Sequence, residues 1–269
     1  MSGAGNDFVV IDNRSASIKD KTALAKLVCD RHWSIGADGL LLLEESERAS
    51  YRMMYYNADG SYGGMCGNGG RCIAMYAYLH QIAQSDHTLE ALDYIYAVSI
   101  NSDNVSIRMK NPLSIKLNRH LFIGKKKITY HFIDTGAPHV VIQINEFSKY
   151  KDLDKFDVQR LGSELRWNKK ISPAGTNVNF IKLINDNSIY LRTYERGVEA
   201  ETLACGTGSV AAAIIAYKKW KLNKPLTVFP TSKIPLIIDF DEVDKTIQNV
   251  VLTGPAIITF TGSVDVSST

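Results

Sequence analysis

The sequence predicts an α/β fold of the α+β kind, built as two similar domains, and three observations carry that prediction. Most of the chain reads as short strands rich in Val, Ile, Tyr and Phe, set between turns of Asn, Asp, Gly and Pro. Helical patterns are few. One device occurs twice: a Cys-Gly-x-Gly turn that runs into an alanine-rich apolar helix, at Cys66 and again at Cys205, 139 positions apart. Such a repeat signals internal duplication, with each domain a mostly β layer around a central helix. At 269 residues, 45% of them hydrophobic and 22% charged, the chain is long enough for two modest cores.

Taken in order, strands are expected at Phe8 to Ile11, Tyr51 to Tyr56, Val105 to Met109, Phe180 to Ile184, Tyr190 to Tyr194 and Ile257 to Phe260. Thr22 to His32 carries Leu24, Leu27, Val28 and Arg31 at helical spacing, and Val158 to Trp167 carries Leu161 and Leu165. Lys125, Lys126 and Lys127 read as an exposed turn. The other two helices follow the cysteine turns, Met65-Cys66-Gly67-Asn68-Gly69-Gly70 and Ala204-Cys205-Gly206-Thr207-Gly208-Ser209.

Charge argues against nucleic-acid binding, because 31 Lys plus Arg stand against 28 Asp plus Glu with no long block of either sign. No stretch approaches the roughly 20 apolar residues that span a bilayer, and the start has no charged-then-apolar leader. A cytoplasmic protein with no membrane partner is therefore expected. Its four cysteines read as free thiols rather than a disulfide framework. Without a Cys-x-x-Cys pair or two histidines at ligand spacing, no metal site is expected. Phosphate-loop patterns are missing too.

The cysteine turns carry chemistry. A helix N-terminus presents unpaired N–H groups and the positive end of the helix dipole, so a cysteine there is partly thiolate. The glycines let a small carboxylate reach the backbone donors. If the halves are related by pseudo-symmetry, the turns face each other and place a sulfur on each face of an α-carbon. One could remove the α-proton while the other returns a proton to the opposite side, which is racemase or epimerase chemistry without a pyridoxal cofactor. Cys29, on an apolar helix face, and Cys72, inside the helix after the first turn, read as small buried hydrophobes. By themselves His139 reads as a structural hydrogen-bonding group, Glu195-Arg196 as a surface ion pair, and Asn57 as a turn residue. A thiol redox protein and a non-catalytic amino-acid binder are the rival classes.

Several segments, in order along nearly the whole chain, resemble diaminopimelate epimerases. They are Gly-Ala-Gly-Asn6-Asp7-Phe8, Gly36-Ala37-Asp38-Gly39, Asn57-Ala58-Asp59-Gly60-Ser61, Met65-Cys66-Gly67-Asn68-Gly69, Pro138-His139, Asn177-Val178-Asn179-Phe180, Tyr194-Glu195-Arg196-Gly197 and Ala204-Cys205-Gly206-Thr207-Gly208. The resemblance implies two pseudo-symmetric domains, each a curled, mostly antiparallel sheet around a central helix. Their expected bounds are residues 1–116 with 254–269, and 117–253. It implies cofactor-free interconversion of LL- and meso-diaminopimelate, on the way to lysine and peptidoglycan. A same-fold racemase or epimerase of another amino acid is the alternative. Cys66 and Cys205 would be the acid/base pair, with His139 and Glu195 tuning protonation and holding the amino group. Gly67, Asn68, Gly206 and Thr207 would cradle the reacting carboxylate. Asn6, Asn57, Asn177 and Arg196 would position the substrate, and a homodimer joined through the segment around Phe260 is implied. Gly39 and Ala137 depart from the pattern, standing where many members carry a glutamine and an asparagine.

Overall fold

Four consecutive leucines, Leu40, Leu41, Leu42 and Leu43, fill both faces of one strand, and all four are fully buried. Such a run suits a strand covered on both sides, where no alternation with polar residues is needed. In the computed structural model, which describes residues 1–147 and 152–265, that strand lies in the first of two units. The first unit is Met1–Arg108 with Thr253–Thr269, and the second is Met109–Leu252. Of the expected segment 254–269, positions 266–269 lie outside the described residues.

The first unit runs β1 (Ser2–Gly3), β2 (Asn6–Asp12), α1 (Lys21–Cys29), β3 (Gly39–Glu44), β4 (Tyr51–Asn57), α2 (Gly67–Leu79), β5 (Asp86–Ala91), β6 (Tyr94–Asn101) and β7 (Asn104–Arg108). Its strands lie side by side in that order. The pairings β2–β3 and β4–β5 are parallel and the others antiparallel. Helix α1, capped by the Asp20 carboxylate accepting from the Ala23 N–H, packs Ala25 and Val28 with Leu40 and Leu42. Leu41 turns to the opposite face and meets α2 at Gly69, where a Cβ would stand 3.0 Å from a leucine methyl. Almost every residue from Gly67 to Ala77 of α2 is buried, as expected of a helix enclosed by its sheet.

The second unit runs β8 (Leu113–Ile123), β9 (Lys126–Asp134), β10 (Pro138–Gln143), a 3₁₀ turn (Ile144–Glu146), α3 (Val158–Arg166), β11 (Asn177–Asn185), β12 (Ser188–Glu195), β13 (Ala200–Thr202), α4 (Gly206–Trp220), β14 (Leu226–Phe229), β15 (Leu236–Val243) and β16 (Thr246–Pro255). The last three residues of β16 belong to the first unit. The strand order is β16-β15-β14-β12-β11-β10-β9-β8, with β13 also paired to β12. Here β10–β11 and β12–β14 are parallel, and the remaining pairings from β8 to β15 are antiparallel. Gly206 and Gly208 through Ala216 of α4 are buried. Small side chains allow that close fit, and each large one enclosed adds about 1.5 to 3 kcal/mol.

One succession therefore occurs twice. In β2-α1-β3-β4-α2-β5-β6 and in β10-α3-β11-β12-α4-β14-β15, a parallel pair is followed by an antiparallel, a parallel and an antiparallel one. The cysteine turn precedes the same helix each time. The sheets are mixed, with antiparallel pairing predominant, as the fold reading anticipated.

Local expectations shift in three places. Helix α1 ends at Cys29 rather than His32, because the Asp30 carboxylate accepts from the His32 and Trp33 N–H groups and folds the chain into a turn. The lysine run is only partly a turn: Gly124 and Lys125 turn, and Lys126 and Lys127 begin β9, all three lysines remaining exposed. The strand expected over Ile257 to Phe260 lies earlier in the chain, since β16 ends at Pro255 and Ile257 makes one isolated bridge to Ser2. Ile257 to Phe260 are exposed, and beyond that one bridge they form no strand.

Candidate functional site

In the first unit Cys66 is the N-cap of α2, in extended conformation, and its sulfur accepts from the Gly69 N–H at 3.5 Å. Its thiol donates to Asn6 Oδ1 at 3.9 Å. Asn6 is held with that oxygen inward, because its Nδ2 donates to Asp38 Oδ2 at 2.6 Å while Asn68 Nδ2 donates to Asn6 Oδ1 at 3.2 Å. Asn68 is oriented in turn by Arg71, whose guanidinium donates to Asn68 Oδ1 and to the Gly67 carbonyl. Asn6, Cys66, Gly67 and Asn68 are thus brought together, in a network the sequence does not announce.

Arg71 and Asp38 are the residues the sequence reading missed here. Arg71 is fully buried, has no carboxylate partner among the described residues, and leaves its Nε without a hydrogen bond. An arginine in the first turns of a helix ordinarily faces solvent, so nothing in the sequence flags it. Burial lowers its pKa, partly offset by the nearby sulfurs of Cys72 and Cys66. Asp38 shares Arg31 with Asp7. Burial alone would raise the Asp7 pKa, but the Arg31 and Asp38 hydrogen bonds hold it below the usual carboxylate range.

Asn57, at the end of β4, is both a turn residue and a fixed amide. Its N–H donates to the Ser61 carbonyl, its Nδ2 to Ser61 Oγ, and its Oδ1 accepts from the Tyr55 hydroxyl at 2.7 Å. Gly39 faces Asn57 in register across the strand pair. A Cβ at Gly39 would meet the Tyr55 ring at 2.5 Å, and one at Gly63 would meet it at 2.3 Å. The tyrosine ring thus fills the space beside Gly39, and its hydroxyl supplies a polar group beside Asn57.

In the second unit Cys205 is the N-cap of α4, 4% exposed, and its sulfur makes no cap hydrogen bond. It lies 3.6 Å from Thr207 Oγ1, which is 3.1 Å from His139 Nε2. His139 is entirely buried, and burial followed by the positive charge of Arg196 pushes its pKa down to about 3, so the ring is neutral at pH 7. Asn179 backs it, with Nδ2 at 3.1 Å from His139 Nδ1. Asn179 was not among the predicted site residues. Its signal was the period of two in Asn177-Val178-Asn179, which places both amides on one strand face.

Asn177 Oδ1 accepts from the Arg196 N–H at 2.7 Å, and its Nδ2 donates to the Pro138 carbonyl at 3.3 Å. It therefore braces the chain that presents Arg196. Glu195 Oε2 accepts from the Thr202 hydroxyl. Arg166 and Glu199, also unforeseen, form an ion pair at 2.9 Å behind this loop, where Glu199 further accepts from the Gly197 N–H. Burial pushes the remaining thiols, Cys29 and Cys72, up to about 12. Burial thus holds both in the thiol form, which is the less reactive one.

A sequence profile described as diaminopimelate epimerase matches residues 1–113 and 131–259. The chain belongs to that family. Relatives bearing this name include the protein of Chlorobaculum tepidum, 40% identical over 98% of this chain and 99% of its own length. The Flavobacterium psychrophilum protein is 38% identical over 96% of each. Among solved structures, a probable proline racemase from Agrobacterium radiobacter aligns with a TM-score of 0.70 at 15% identity, covering 92% of this chain and 81% of the other. A Bacillus anthracis protein of the PhzF family aligns at 0.67 and 14%, covering 95% and 92%. These two likenesses establish the shared fold. With the family assignment the chain is an epimerase, an isomerase by class, and among the described residues no helix is long and apolar enough to cross a membrane.

Proposed function

We propose that this chain interconverts LL- and meso-diaminopimelate, with Cys66 and Cys205 as the acid/base pair and no cofactor. The observation that carries this reading is that both cysteines cap the buried helices of two units built on one succession of strands and helices. One sulfur removes the α-proton and the other returns a proton to the opposite face, inverting the centre. Charge developing on the substrate carboxylate meets the backbone N–H groups of Gly67, Asn68, Gly206 and Thr207 at the two helix starts. His139 tunes protonation through Thr207, Glu195 holds the amino group, and Asn6, Asn57, Asn177 and Arg196 position the substrate. The product serves lysine and peptidoglycan synthesis in the cytoplasm.

The test is exchange of the α-proton of diaminopimelate in deuterated water. Wild-type protein should incorporate deuterium at the epimerised centre, and Cys66→Ala or Cys205→Ala should abolish turnover while circular dichroism remains native. Wild-type turnover in either single variant refutes the two-base mechanism. Activity lost to a chelator and restored by a metal refutes the cofactor-free reading.

The same reading includes a homodimer joined through the segment after β16. Phe260 is 63% exposed, and Ile257, Ile258 and Val264 beside it are exposed as well. An apolar patch of this kind favours a protein contact. Phe260→Asp should convert a dimer to a monomer in sedimentation analysis, and a wild-type monomer overturns the dimer.

A further inference from the structure

The hydrogen bonds behind Cys205 start from an amide whose orientation its neighbours fix. Asn179 Nδ2 donates to the Val140 carbonyl at 2.8 Å, and its Oδ1 accepts from the Thr193 hydroxyl at 3.0 Å. A carbonyl can only accept, so the amide orientation is fixed. The same Nδ2 lies 3.1 Å from His139 Nδ1, which must therefore be the bare, accepting nitrogen of a neutral ring. The proton then sits on Nε2, which donates to Thr207 Oγ1 at 3.1 Å. With its oxygen occupied as an acceptor, the Thr207 hydroxyl has its hydrogen free for the Cys205 sulfur at 3.6 Å. Space around the relay is tight: a Cβ on Gly208 would stand 2.6 Å from Asn179 Oδ1 and 3.2 Å from the Cys205 sulfur. Asn179 itself is fully buried.

We propose that Asn179 is a positioning residue which locks His139 in the Nε2–H tautomer, so that the Thr207 hydroxyl donates to the Cys205 sulfur and stabilises its thiolate. A donor aimed at a sulfur favours the charged form. In the first unit the Cys66 thiol donates to Asn6 Oδ1, and the donor to its sulfur is a backbone group, the Gly69 N–H, rather than a side-chain hydroxyl. The charge felt at the His139 ring is that of Arg196, on the loop after β12. The catalytic meaning of the relay rests on the proposed role of Cys205, but its existence does not.

The full chain labelled with ¹⁵N-histidine, free of substrate at pH 7, gives the direct test, with His139 assigned by the signals lost in His139→Gln. Long-range ¹H–¹⁵N spectra should show Nδ1 bare and Nε2 protonated. An Nδ1–H tautomer or an imidazolium overturns the proposal. In Asn179→Asp, a carboxylate beside the ring should move a proton onto Nδ1, and an unchanged tautomer in that variant, if folded, equally overturns it. Thr207→Val, nearly isosteric, should slow alkylation of Cys205 by iodoacetamide about 10-fold or more while Cys66 in the same sample keeps its rate. An unchanged Cys205 rate overturns the proposal. None of these measurements uses diaminopimelate, so loss of the proposed substrate and loss of the relay are separate results.

Discussion

Single side chains decide whether each cysteine has a working environment, and glycine at 208 shows how little room they leave. Alanine in place of glycine inside a helix ordinarily adds about 1 kcal/mol of stability. At 208 the added methyl would press on Asn179 Oδ1 at 2.6 Å and on Cys205 at 3.2 Å, and those atoms are held from behind by Thr193 and by the start of α4. Gly208→Ala should therefore reverse the usual sign, lowering stability by about 1 to 3 kcal/mol and cutting deuterium exchange into diaminopimelate more than tenfold. Urea unfolding and exchange rates check both, and a more stable, fully active variant contradicts the packing described. This scale was legible where the signal is local. Cys66 and Cys205 stood out because a cysteine, its glycines and an apolar helix containing alanines are adjacent in the sequence. Asn179 did not, because its role depends on the register of β10 against β11, strands nearly forty positions apart, and Arg71 did not, because burial of an arginine without a carboxylate leaves no mark in the chain.

Elements show the same division between local and distant causes. Helix α3 falls within one residue of its expected end, since its Asp157 cap and its leucines are local signals. The leucine run of β3 was not singled out, because only the helices on both faces explain an unbroken apolar strand. The order of β10, β11, β12 and β14 was not legible either, as parallel pairing is set by the helices between strands. The β3–β4 pair offers its own prediction. The Tyr55 ring lies between Gly39 and Gly63, which fixes the strand ends near Asn57. Gly39→Ala should cost about 1 to 3 kcal/mol through overpacking. Gly39→Ala combined with Tyr55→Ala should cost less than the sum of the two single changes, with a coupling of about 0.5 kcal/mol or more. Part of the cost will remain, because the Tyr56 carbonyl also stands 2.7 Å from the new Cβ. Strict additivity in thermal unfolding would show that Tyr55 does not fill the space above Gly39.

For the molecule as a whole, three buried histidines tie stability to pH. Burial drives His139 down to about 3 and His131 to about 4, and His87 is lowered by burial too, although its bond to the Gln84 carbonyl partly offsets this. Their ordinary value is 6.5. Between about pH 6.5 and 4 the unfolded chain therefore binds protons at these sites that the native chain refuses, and stability must fall as pH falls through that window. Carboxylates held low by partners, such as Asp7 with Arg31 and Glu90 with Ser46 and Arg52, weaken the fold only at lower pH, as they approach their own protonation. The two windows are separable. Urea midpoints should drop from pH 7 to pH 5 before the carboxylates contribute, and the drop should shrink in His131→Asn. That variant removes one titrating ring while an amide oxygen can still accept from the Asn118 N–H, which His131 Nδ1 does at 3.1 Å. Lys219 adds to the depression of His131 after burial, so Lys219→Gln should shrink the drop slightly, by raising the native pKa toward 6.5. A wild-type midpoint that is flat from pH 7 to pH 5, or a His131→Asn variant with the wild-type slope, would show that these rings are not kept neutral by the fold.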